Sequence, residues 1–535
     1  MLQIFIFSSS FFAQNYPAYI ATVYDTAASE GYYFFSPKLV FSLGGQIKET
    51  QMILDKNGKV VYFHDFPAGI NASDFKIQKN GLMTYIGPTQ FYIMDSTFTI
   101  IDSVHHKNGV KYDQHDFQIL PNDHYLYLGA ENITMDLSSY QYFHNGTLYG
   151  SSNATVRCGI IQEQDASKNV VFEWHAKDHF QFSDVDQNWL YDTANVDWNH
   201  FNAVDLDTDG NILLSIRYFN EITKINRTDS SIIWRLGGKQ NEFTYTNDTN
   251  RFIGQHDIRR IANGNLTLFD NGRLPHPASA REYSLDENLK TATLVWSYVL
   301  DSAFESQSRG GVQRISNGNT IVDYGRMDGQ NMIFNFVDQS GNSIFEVRSP
   351  DTLVSYRAYN YPVLPWDLNQ PKIICEELNG QLYLSVDSGL AGYYWNTGDT
   401  TFKIAVSTTD TFFVFVARGS GGFIRSKDFI VSCLVNPCSL TPVSESSFTA
   451  DTFVFKPNPV TDHLIIEYKA AGKPINITSI NLISIFGNTI YFEQPSKTED
   501  YFRTEINVKP FSSGIYILKV TSDAGVCQRK IIIAN

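Results

Sequence analysis

The chain has 535 residues and a net charge of −15, and it is 43% hydrophobic and 14% aromatic. That length exceeds one compact core, so two to four domains are expected, and abundant Val, Ile, Tyr and Phe favour strands over helices. The acidic balance excludes nucleic acid and anionic membrane as general partners, because both need clustered Lys and Arg, and an anionic substrate needs a local basic site.

The start, MLQIFIFSSSFFAQ, reads as the apolar core and cleavage site of a signal peptide spanning residues 1–13. It lacks the usual leading Lys or Arg, which fits a true start upstream of Met1; a buried first strand is the alternative. No later apolar run reaches membrane-spanning length, so no transmembrane segment is expected in the mature chain. Five cysteines follow without a CxxC spacing. A zinc cage is not expected, and export permits one or two disulfides among Cys375, Cys433, Cys438 and Cys527. Cys158 reads as buried and not nucleophilic.

One pattern then recurs: FKIQKNGLMTYIG from Phe75, HDFQILPNDHYLYLG from His115, HFNAVDLDTDGNILLSIR from His200, HDIRRIANGNLTLFDNG from His256 and GVQRISNGNTIVDYGR from Gly311. Each is an alternating strand, a turn of Asn-Gly, Asn-Asp or Asp-Gly, and a return strand, the signature of a β-hairpin. Further strands follow, such as those ending near Trp174, Trp234 and Trp296. The turn glycines Gly210, Gly264 and Gly318 lie 54 residues apart, a period that indicates a β-propeller with four strands to a blade. Counting a unit at the front, and taking residues 177–199 as an insertion, gives an all-β fold with six blades over residues 14–366. Residues 367–440 read as a small immunoglobulin-like sandwich around Trp395. Residues 441–452 read as a Ser, Thr and Pro-rich linker, and residues 453–535 as a last β-sandwich module.

The first strand of each blade lines a propeller's channel, so equivalent positions converge on the axis. His115 and His256 both stand seven residues before their turn asparagines, Asn122 and Asn263. His200 stands on the same face by the two-residue period. Two-residue turns at the hairpin tips set Asn202 opposite Arg217, His256 opposite Asn271, and Arg309 opposite Arg326. Three imidazoles, an amide and a guanidinium group at one mouth suit a tetrahedral oxyanion, and a neutral imidazole nitrogen is also a nucleophile. The bland alternative is that each His-Asp pair caps a strand. The interleaved Asn and Arg point away from a metal, and no cofactor is expected. The DLDTDG run from Asp205 opens like a calcium loop, but Ile216 stands where the bidentate Glu is needed, and a polar hairpin turn is the preferred reading.

The motifs HDFQILPN, NHFNAVDLDTDGNILLSIR, SIIWRLGG, QHDIRR with LFDNG, and RGGVQRISNGN, in that order, resemble the bacterial arylsulfotransferases. This is a six-bladed propeller family that works without a nucleotide sulfate donor. The resemblance implies sulfuryl transfer from an aryl sulfate to a phenol by a ping-pong route through a sulfated histidine. It implies that His256 is the nucleophile and that His115, His200, Asn202 and Arg217 bind and polarise the sulfate. Asn271 and Arg309, from their places in the hairpins, are expected as further substrate contacts. The end of the chain, with PNPVTDHLIIEY and GIYILKV, is similar to the C-terminal sorting domain of the Bacteroidetes type IX secretion system. This implies that machinery as a partner, and a secreted or cell-surface destination through the periplasm. Two alternatives remain open: hydrolysis of aryl sulfates, or a non-catalytic surface propeller that binds sulfated or phenolic ligands.

Overall fold

The computed structural model describes residues 3–6, 16–39, 48–142, 148–300, 304–327, 331–350, 353–431, 454–469, 475–484, 489–495, 497–499, 501–522 and 525–534. The chain divides into two compact units, residues 1–368 with 418–423, and residues 369–417 with 424–535. Among the described residues it is all-β, with 3-10 turns and no α-helix.

In the first unit, each recurring motif forms its hairpin. The turns share one chemistry: the Gly264 N–H donates to the Ile261 carbonyl, and the Ile261 N–H donates to the Asn265 carbonyl. Gly210, Gly264 and Gly318 hold φ between 82° and 87°, the left-handed region that glycine enters freely. In the PND turn Asp123 takes the same role at φ 60°. These are three-residue loops closed by a left-handed residue, not the two-residue turns expected. The pairing therefore shifts by one, to Arg260 with Leu266 and Ala203 with Ser215.

Sheets follow one another along the chain. Ser73–Ile77, Met83–Ile86, Phe91–Met94 and Ile100–Val104 make one, and Lys111–Ile119, Tyr125–Met135, Ala154–Gln164 and Val170–His175 the next. Two more run Phe201–Leu206 through Ile232–Gly237 and His256–Arg260 through Thr291–Tyr298. The strands from Gly311–Arg314 to Ser343–Arg348 continue into Ile20–Val23 and Gln3–Ile6. Gln3–Ile6 lies inside the span read as a signal peptide and pairs antiparallel with Ile20–Val23; residues 7–13 of that span lie outside the described residues. A further sheet joins the unit's two ends, because Tyr32–Phe35 pairs with both Lys48–Asp55 and Ala358–Tyr361. Apolar faces between neighbouring sheets are fully buried, with Trp174, Trp198 and Trp234 among the largest side chains enclosed.

The second unit holds small sheets from Ile374–Leu378, Gln381–Ser385 and Lys403–Val406, and from Asp410–Phe412 with Phe429–Val431. Trp395 is buried, as its central place in the sequence implied, and Cys375 is disulfide-bonded. Cys433, Cys438 and the expected linker lie outside the described residues. The tail makes two sheets around its own apolar core, including Leu464, Ile466, Leu482, Ile506 and Leu518. No helix among the described residues is long and apolar enough to cross a membrane.

Candidate active site

The strands that carry the histidines are irregular where they begin. Register shifts fall between Tyr112 and Phe117, between Phe201 and Ala203, and between His256 and Arg259. A bulge bends the strand and re-aims its side chains. His200, Asp257 and Arg309 take left-handed φ of 49°, 59° and 66°, a conformation costing about 1–3 kcal/mol for a non-glycine residue. This distortion splits each His-Asp pair. The aspartates do cap strands: Asp116 accepts the Val204 N–H at 3.1 Å and Asp257 the Val312 N–H at 3.0 Å, each on the next sheet. The histidines turn the other way, into a cavity of about 190 Å³.

That cavity is lined by His115, His200, His256, Arg217 and Arg309. The His115 and His200 rings meet edge to face with centroids 4.8 Å apart. Their outer nitrogens are held by carboxylates: His115 Nδ1 lies 2.6 Å from Asp113, and His200 Nδ1 lies 2.5 Å from Asp197. His256 differs. Its Nδ1 lies 2.7 Å from Asn271 Oδ1. The Asn271 amide cannot be turned round, because its Nδ2 donates to the carbonyls of Arg309 (2.9 Å) and Ser306 (3.3 Å) and lies 3.1 Å from the Ser306 hydroxyl. An oxygen at that place requires the His256 proton on Nδ1. Nε2 is left with its lone pair, which accepts the Arg309 backbone N–H at a long 3.3 Å. Burial first, then the Arg217 charge and His200, hold the His256 imidazole well below the usual histidine range. Burial also lowers His200, against the pull of Asp197.

The cations here lack the partners that buried charges normally require. Arg217 is 7% exposed. Its Nη2 donates to the Gln307 carbonyl at 2.6 Å, its guanidinium lies 4.6 Å from the Trp189 ring centroid, and its Nε has no partner. Among the described residues neither Arg217 nor Arg309 forms a salt bridge. Burial lowers both from the usual guanidinium value. A buried guanidinium without a carboxylate is an anion site waiting for its anion.

The structure does not bring every expected residue to the cavity. Asn202 sits in the bulge opposite no residue; it is buried behind the wall, donating from Nδ2 to the Gln255 carbonyl at 2.6 Å, and is not opposite Arg217. The Arg217 N–H instead donates to the His200 carbonyl, where the strand gives way to the turn Arg217–Phe219. His256 pairs in register with Phe269, two residues from the expected Asn271, although the His256 and Asn271 side chains do meet. Arg326 bridges Ser308 and not Arg309. Sequence reading missed Lys38, Glu49 and Tyr356, which also line the cavity. Glu49 is buried 3.8 Å from Lys38, and burial pushes its carboxyl up. Tyr356 donates to the His115 carbonyl at 2.8 Å. The carboxylates behind His115 and His200 had a signal, since Asp113 and Asp197 precede them by two and three residues.

The DLDTDG run holds no calcium geometry. Asp207 and Asp209 lie 2.9 and 2.8 Å from Lys224 Nζ, and Arg260 grips Asp207 at 2.7 Å. Among the described residues no group of His, Cys, Asp and Glu is placed to hold a metal ion. Cys158 is buried and free, its thiol pushed up to about 12 by burial.

A sequence model described as "Arylsulfotransferase (ASST)" matches residues 23–359. The chain belongs to the arylsulfotransferase family. A second, described as "Secretion system C-terminal sorting domain", matches residues 454–534, which makes this arylsulfotransferase-family protein secreted or cell-surface. No curated protein matches. Among solved structures, a protein of unknown function from Bacteroides caccae is 10% identical at a TM-score of 0.39, over 62% of this chain and 98% of that one. A streptogramin B lyase is 9% identical at 0.31, over 69% and 95%. A catalytically inactive virginiamycin B lyase from Staphylococcus aureus is 8% identical at 0.29, over 66% and 94%. Likenesses at that level carry no functional weight, and the family assignment stands on the sequence match.

Proposed function

We propose that this protein transfers a sulfuryl group from an aryl sulfate to a phenol in two steps through His256. The observation that carries this reading is the difference among the three imidazoles. His115 and His200 are backed by carboxylates, whereas His256 is backed by an amide. A carboxylate raises the basicity of its imidazole and neutralises its cation. An amide fixes the tautomer but brings no negative charge, so His256 keeps an Nε2 lone pair engaged only by the long Arg309 N–H contact, and its sulfated form stays a charged, good leaving group.

In the first step Nε2 attacks sulfur, the bond from sulfur to the aryl oxygen breaks, and the departing phenolate takes a proton held by the His115–His200 pair. In the second, that pair takes the proton from an incoming phenol, whose oxygen attacks sulfur as the bond to Nε2 breaks. Sulfur, proton and charge balance over the cycle, and a phenol with pKa about 10 leaves far more readily than an alcohol. Arg217 and Arg309 hold the sulfuryl oxygens, where charge is spread in a loose transition state. Asn202 and Asn271 act behind the wall, on Gln255 and His256.

The same reading takes the first unit as a six-bladed propeller closed by its two ends, residues 367–440 as an immunoglobulin-like spacer, and residues 1–13 as a cleaved leader. The test is incubation with a chromogenic aryl sulfate, with and without a second phenol. Transfer predicts faster release of chromophore and a new aryl sulfate when the phenol is present. Release at one rate with only inorganic sulfate formed identifies a hydrolase, and no turnover refutes catalysis.

A further inference from the structure

A second cavity, of about 390 Å³, is walled by Trp189, Tyr191, Arg273 and Glu305, and it shares Arg217 with the histidine cavity. Its size suits a small organic ligand. Its aromatic wall is fixed. Trp189 donates from Nε1 to Asn220 Oδ1 at 3.1 Å and lies parallel to Tyr218 at 5.6 Å. Gly254 takes φ 63° beneath it, where an added Cβ would stand 2.9 Å from the indole. Tyr191 is 54% exposed on the same wall.

Arg273 is a charged group of this cavity that the rest of the fold holds only loosely. Its backbone is pinned by a reciprocal pair of hydrogen bonds with His276, at 2.8 and 2.9 Å. Its guanidinium lies 4.5 Å from the Trp189 ring centroid, and Asp186 approaches it no closer than 4.0 Å. Glu305, the nearby acid, is engaged elsewhere: it accepts the Leu274 N–H at 2.7 Å and Gln307 Nε2 at 3.2 Å. The cavity therefore offers an aromatic surface with Arg217 at its inner side and a second, loosely held guanidinium on its wall.

We propose that this cavity is the aryl subsite and that Arg273 selects substrates bearing a second anionic group, a ring carboxylate or sulfonate remote from the reacting oxygen. The assignment rests on the sulfuryl-transfer reading, which places the reacting oxygen beside Arg217. The ring extends along the Trp189 and Tyr191 wall, and the planar fork of Arg273 takes the distal carboxylate as a bidentate pair.

The experiment compares 4-hydroxybenzoate with unsubstituted phenol as acceptors, using a chromogenic aryl sulfate donor, in wild type, Arg273→Gln and Arg273→Lys. The quantity read is the ratio of kcat/KM for the two acceptors, which a general loss of folded protein does not move. The ratio should favour 4-hydroxybenzoate in wild type, fall about ten- to a hundredfold in Arg273→Gln, and recover in part in Arg273→Lys. A ratio near one in wild type, or one unmoved by Arg273→Gln, overturns the subsite. Calorimetric titration with 4-hydroxybenzoate separates the two claims. Binding that is lost in Arg273→Gln, in a protein without turnover, upholds the subsite and refutes the transferase; absence of binding to wild type refutes the subsite whatever the turnover.

Discussion

In the proposed mechanism Asn271 acts through His256 and not on the substrate. It sets which His256 nitrogen carries the proton, and three contacts fix its own orientation. Asn271→Ala should lower kcat by about ten- to a hundredfold, the worth of roughly 1.5–3 kcal/mol of lost hydrogen bonding. Full activity in a folded Asn271→Ala protein would remove the tautomer argument. The pH dependence follows from the lowered His256 value. The attacking form is neutral, and burial keeps it neutral below the ordinary histidine value of about 6.5. Release of the first phenol, measured as a burst, should therefore hold its rate as pH falls through that value; an inflection there would contradict the buried, unprotonated imidazole. Stability runs with the opposite consequence. His256 and His64, the latter pushed down to about 4 by burial, bind fewer protons folded than unfolded. Their contribution is present above about 6.5 and is lost as pH falls below it.

Among the elements, the strand starts do two tasks at once. Asp74, Asp116 and Asp257 meet Lys76, Arg259 and Arg357 in a buried network, with contacts of 2.7 Å for Lys76 to Asp74 and 2.8 Å for Arg259 to Asp116. This network ties the first strands of separate sheets together behind the histidines. Asp116→Ala leaves Lys76, Arg259 and Arg357 facing only Asp74 and Asp257, one negative charge short, and orphans the Val204 N–H, so it should cost about 3–5 kcal/mol, read as a lowered Tm of the first unit; an unchanged Tm would show that the network is not holding the sheets. The hairpins themselves were legible in the sequence because Asn-Gly and Asp-Gly turns are local chemistry. Their register was not, because the left-handed glycine lengthens each loop by one residue. The bulge beside Asn202 then shifts the strand again, through contacts with other sheets. His115, His200, His256, Arg217 and Arg309 could be gathered at one mouth from the repeat alone. Lys38, Glu49 and Tyr356 could not, since the closing sheet that brings residue 356 beside residue 49 pairs the unit's two distant ends.

Taken whole, the molecule separates chemistry from delivery. The tail has its own buried core, with Val460, Leu464, Ile480 and Ile531 inaccessible to solvent, and the residues proposed for catalysis all lie before residue 360. Removing residues 453–535 should leave the specific activity within about twofold, a change of under 0.5 kcal/mol, while the protein accumulates in the periplasm. Fractionation that still finds the truncated chain outside the cell would contradict the sorting role. The central claim is covalent: one imidazole, His256, carries the sulfuryl group between donor and acceptor. Intact-mass spectrometry of the whole protein, incubated with aryl sulfate donor alone and then with phenol, tests it most directly. The account predicts a gain of one sulfuryl mass, mapped to the peptide containing His256, discharged by phenol and absent in His256→Ala; a label that persists in His256→Ala, or transfer by wild type through an unlabelled protein, would contradict it.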